Sequence, residues 1–147
     1  MTGDRDKLMT DVGMLFEQHD WGYVAVEAGV WRTTFAVSSD EEFDLYVVLA
    51  EDWLHFAVSP LLTTGALTNP ARLQRTLLKL NQELRMARFA LDADDDVNLL
   101  ADLPLDLVDA ARFGQVLDLL VFYADRLAAD LRRVAADPNF HSPLFAD

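Results

Sequence analysis

Cysteine is absent from the 147 residues, which excludes disulfides, thiolate nucleophiles and cysteine-held zinc, and with them a small disulfide-stapled secreted scaffold. The six glycines never cluster, so the chain has neither a phosphate-cradling loop nor a dinucleotide fingerprint. No apolar run approaches the ~18–20 residues of a spanning helix, because Asp, Glu or Arg breaks each candidate. The start, Met1-Thr2-Gly3-Asp4-Arg5-Asp6-Lys7, lacks the basic segment and apolar run of a signal peptide. A cytoplasmic location without membrane attachment is therefore expected.

Positive charge is also scarce. Twelve basic residues stand against 25 acidic ones, a formal net charge of −13 that repels phosphate backbones and anionic membrane surfaces. Nucleic acid is not an expected partner, whereas a basic or amphipathic protein surface is permitted. Hydrophobic residues make up 52% and aromatics 10%, enough for a folded core, while charged residues at 25% keep the surface soluble. With no linker in sight, residues 1–147 read as one domain, with 137–147 as a C-terminal tail.

Hydrophobic periodicity places the elements. Leu8, Val12, Leu15, Phe16 and His19 share one side of a 3.6-residue period, predicting an amphipathic helix over about 4–19, capped by Asp4 or Asp6. Trp21-Gly22-Tyr23 marks a turn. Residues 30–37 then alternate, with Trp31, Phe35 and Val37 on one face and Arg32 and Thr34 on the other. Phe43 to Leu49 and Trp53 to Ser59 form a hairpin around Glu51-Asp52. Asn69-Pro70 is a helix start, followed by Leu73, Leu77, Leu80 and Leu84 on one face. Two short strands follow, Arg88 to Asp92 and Val97 to Leu103, before a helix from about Asp109 to Ala135. The expected class is α+β: an antiparallel sheet of about five strands with helices packed on it, in the order α-β-β-β-α-β-β-α.

That order, the segment LNQELRMARFALD at 80–92, the acidic turn after it, Val97 and Leu103-Pro104 resemble the YbjN family of bacterial proteins. They also resemble the broader type III secretion chaperone (Tir chaperone, CesT-like) fold. The resemblance implies a homodimer that holds a client polypeptide on its surface, without nucleotide, metal or other cofactor. It specifies architecture better than activity.

Local chemistry offers little else. Asp92-Ala93-Asp94-Asp95-Asp96 spaces carboxylates as a calcium loop would, but Val97 stands where the turn glycine belongs and Leu103 where the bidentate Glu belongs. A solvated hairpin turn is the expected reading. His19, His55 and His141 lack the spacing that would bring two imidazoles to one zinc ion. Ser38, Ser39, Ser59 and Ser142 show no local signal of a hydrolase nucleophile. The chain is thus expected to be a non-catalytic protein-binding module. The alternative is a small-molecule sensor or enzyme using a pocket under the sheet, and an enclosed cavity with converging polar groups would favour it.

Two surfaces are singled out. Tyr46, Val48, Trp53 and His55 alternate away from Leu45, Val47, Leu54 and Phe56, giving a sheet face too apolar for plain solvent and suited to a client; cover by a helix is the competing explanation. On the last helix, Leu119-Leu120-Val121-Phe122-Tyr123 is hydrophobic all round, so Leu119, Val121 and Phe122, with Arg126 on the rim, form the expected homodimer interface. The competing explanation there is burial within one subunit. The tail, broken by Pro138 and Pro143 but carrying Phe140, Leu144 and Phe145, is expected to dock on its own subunit or a neighbour.

Overall fold

In a computed structural model, residues 11–64 and 69–146 are described. Helix α1 covers 11–18 of them; the part of the expected helix before residue 11, including Leu8, lies outside the described residues. Strands β1 (Val24–Glu27), β2 (Val30–Ala36), β3 (Glu42–Ala50) and β4 (Trp53–Leu62) follow, then α2 (Pro70–Asn81), β5 (Arg88–Leu91), β6 (Val97–Pro104), a 3-10 turn at Leu105–Leu107 and α3 (Ala110–Ala136). The order α-β-β-β-β-α-β-β-α adds one strand to the expected pattern.

That strand is β1. All four of its residues are exposed, so it has no buried face to impose an alternation; pairing with β2 around Gly29, at φ +79°, is what defines it.

The six strands form one antiparallel sheet in the order β1-β2-β3-β4-β6-β5, leaving β1 and β5 as the edges. Strict alternation in β3, β4 and β6 sends Leu45, Val47, Leu54, Phe56, Val58, Leu99, Ala101 and Leu103 to one face, all buried. The helices cover that face. Phe113 of α3 meets Phe56 at a ring separation of 5.5 Å and Phe16 of α1 at 5.0 Å. Leu73, Leu77 and Leu80 complete the cluster from α2.

Capping residues start the two later helices. The Asn69 side chain accepts from the Arg72 N–H at 3.2 Å and Pro70 takes the first helical position; Asp109 does the same for α3 with Arg112 at 2.7 Å. The tail after α3 turns back on its own subunit. The Arg133 guanidinium lies 4.0 Å from the Phe140 ring centroid, Ser142 donates to Asp130 at 2.7 Å, and Phe145 packs against the core. Arg72 ties the turn down by donating to the carbonyls of Val134, Asp137 and Phe140.

Candidate functional site: the open face of the sheet

Because the helices occupy one side, the opposite side of the sheet is the surface that the strands alone define. The pairing register aligns Ala50 with Trp53, Val48 with His55 and Tyr46 with Ala57. These rows continue onto β6 as Pro104, Asp102 and Leu100. Tyr46, Val48, His55, Ala57 and Leu100 remain half-buried and Trp53 is 43% exposed, so among the described residues no helix covers this face. The structure therefore places Tyr46, Val48, Trp53 and His55 together on one apolar, solvent-facing surface.

Its polar feature crosses three strands. His55 Nδ1 lies 2.5 Å from Asp102 Oδ1, and the Arg88 guanidinium donates to Asp102 Oδ2 at 2.8 Å. Burial pushes the Asp102 carboxyl up, but its hydrogen bonds with His55 and Arg88 and the nearby Arg88 charge outweigh burial, holding it below the ordinary carboxylate value. His55 alone is visible in the sequence as part of this face. Asp102 and Arg88 join it only through the β4–β6 and β6–β5 registers, and no local motif announces those.

The outer side of α3 holds the other predicted residues, and the structure separates them. Val121 and Tyr123 pack against the chain's own core, and the Tyr123 hydroxyl accepts from the Arg85 N–H at 2.8 Å. Leu119 is half-buried, Phe122 is 54% exposed and Arg126 is exposed. Phe122 and Leu119 edge an open groove floored by Ala110, Ala111 and Gly114. At its side His19 closes onto α3: a Cβ on Gly114 would stand 2.6 Å from His19 Nδ1, and His19 Nε2 lies 2.7 Å from Asp118 Oδ1.

A third apolar surface was not singled out by the sequence. Leu78 of α2 is 72% exposed beside Leu91 of the edge strand β5, over a groove that Leu77 and Phe89 also line. Leu78 departs from the Leu73-Leu77-Leu80 stripe, and that departure was the available signal.

The acidic turn is organised by its own backbone. Asp92 Oδ1 accepts from the N–H groups of Asp94 and Asp96 at 2.9 and 3.0 Å, and Asp96 Oδ1 accepts from the Thr64 N–H at 2.9 Å. Among the described residues no three His, Asp or Glu side chains converge to hold a metal ion, and no helix is long and apolar enough to cross a membrane.

The same fold recurs in several solved structures of protein complexes. The structure is similar to one solved as the ExsC–ExsE complex, at a TM-score of 0.60 and 15% identity, covering 82% of this chain and 96% of that one. It is also similar to one from the heterodimeric complex ExoU–SpcU of the type III secretion system of Pseudomonas aeruginosa, at 0.58 and 18%, covering 87% and 99%. A third, from the HopA1–SchA chaperone–effector complex, gives 0.56 and 14%, covering 84% and 94%. Comparison with curated proteins gave no match. Residues 14–133 match the YbjN family model, described as "Putative bacterial sensory transduction regulator", and the chain belongs to that family.

Proposed function

We propose that this protein is a non-catalytic, chaperone-like or regulatory module that binds a client polypeptide on the open face of its sheet and pairs with a second copy of itself. The observation that carries the reading is the apolar surface of Tyr46, Val48, Trp53 and His55, left uncovered among the described residues by helices that all pack on the other side. An exposed apolar surface of this kind marks an interaction site, as a binding module requires. The fold likeness adds support, since the three similar structures are complexes with partner proteins. The groove beside Phe122 is open rather than enclosed, which favours a protein surface over a small-molecule pocket.

A photo-crosslinker placed at Tyr46 in the native cell should capture a defined protein that a crosslinker at Glu17, on the helix side, does not. Trp53→Ala should lower that yield several-fold with the circular dichroism spectrum unchanged. Equal capture from both positions would remove the reading.

Self-association is proposed through α3, around Leu119, Phe122 and Arg126. A second surface is favoured by the exposed Leu78 beside Leu91, where contact would be by apolar side chains, because the Asn81 side chain already takes the N–H and C=O of Phe89 on the β5 edge.

A further inference from the structure

The apolar rows of the open face end at Trp53, and the charged residues of its own turn and of the 3-10 turn bonded to it are all acidic. Trp53 sits between Ala50 and Pro104 in the sheet, directly after the Glu51-Asp52 turn. The Asp52 carbonyl accepts from the Leu105 N–H at 3.0 Å, which holds that turn against the segment carrying Asp106. Glu51, Asp52 and Asp106 are all exposed, and among the described residues none of the three carboxylates has an ion-pair or hydrogen-bond partner. Two cations share the face, away from Trp53: Arg88, engaged by Asp102, and Arg32, opposite Tyr46 on β2. The net charge of −13 adds a long-range field of the same sign.

From this charge complementarity we infer that the segment held on the open face is a basic, amphipathic stretch of another polypeptide, with an arginine or lysine seated over Trp53 between the carboxylates of Glu51, Asp52 and Asp106. The inference rests on the reading of the open face as the client site and adds the chemistry of the client. Apolar side chains of the segment lie along Val48, Tyr46, Ala57 and Leu100. Its cation gains twice at Trp53, from the ring face and from carboxylates that bind it without first giving up another partner. An acidic segment meets Arg32 beside Tyr46 but is repelled at the Trp53 end.

The test uses the full chain with two dye-labelled synthetic peptides, one alternating leucine with lysine and one alternating leucine with glutamate, read by fluorescence anisotropy. The lysine peptide should bind at least about tenfold more tightly, an advantage that shrinks as added salt screens it. Trp53→Ala should weaken it. The combined variant Glu51→Gln, Asp52→Asn, Asp106→Asn should bring the two peptides to within about twofold of each other. A control variant of equal charge, Glu17→Gln, Asp94→Asn, Asp95→Asn, should leave the preference in place. If both triple variants weaken lysine-peptide binding equally, the attraction belongs to the net charge and the proposal is overturned. If both peptides bind equally and Trp53→Ala releases both, the open face holds clients and the basic preference alone fails. If Trp53→Ala releases neither, the site reading fails with it.

Discussion

Asp102 is the residue on which the polar part of the open face depends. Its carboxylate takes both His55 and Arg88, and its folded-state pKa lies below the ordinary value. A depressed carboxyl pKa means that the unfolded chain holds the proton more tightly. The stabilisation is therefore complete above the ordinary carboxyl pKa and is lost as pH falls through the lower, folded value. Asp102→Asn should cost about 1 kcal/mol at neutral pH, and the gap to the unmutated protein should narrow as the pH falls through the lowered carboxyl value. Urea midpoints measured across that range check it; a gap that persists undiminished in acid would assign the loss to packing instead. None of this could be read in advance, since the three residues lie on three strands and meet only through register.

At the level of elements, legibility followed burial. Strands β3, β4 and β6 alternate because one face is sealed by α3, and their sequences carry that alternation openly. Strand β1 has both faces in solvent and no comparable pattern, so it was missed. Helix ends were legible where a side chain does the capping. Asp109 fixes the start of α3 through the Arg112 N–H at 2.7 Å, and its second oxygen pairs with the Arg112 guanidinium at 2.7 Å. Asp109→Ala should lower stability by about 1 kcal/mol, and Asp109→Asn, which keeps the cap and gives up only a surface ion pair, by a few tenths. Thermal or urea unfolding of the two variants separates the contributions, and equal losses would show that the ion pair dominates. The all-round hydrophobicity of 119–123 was legible too, but not its division: Val121 and Tyr123 turned out to serve the chain's own core, which leaves Leu119 and Phe122 facing outward.

For the molecule as a whole, the proposed self-association turns on which outward face would meet a second copy. Ala111 and Phe122 lie about 16 Å apart along α3 at the helical rise of 1.5 Å per residue, one in the floor of the groove and the other at its edge. If two copies of α3 cross antiparallel about a two-fold axis midway between these positions, Phe122 of each copy drops into the Ala110-Ala111 hollow of the other. The same operation sets Gln115 opposite Asp118, so knob and hollow are self-complementary. Burying each Phe122 contributes ~1.5–3 kcal/mol, counted twice by symmetry. The competing surface, Leu78 beside Leu91, would meet its copy through side chains alone, since Asn81 holds the N–H and C=O of Phe89 on the β5 edge. Light scattering at high micromolar concentration is expected to give a dimer for the unmutated protein, a monomer for Phe122→Asp and a dimer for Leu78→Asp. Both side chains are exposed, at 54% and 72%, so neither substitution should disturb the fold. A monomer from Leu78→Asp with Phe122→Asp still dimeric would move the interface to α2 and β5, and an unmutated protein that scatters as a monomer would end self-association through either face.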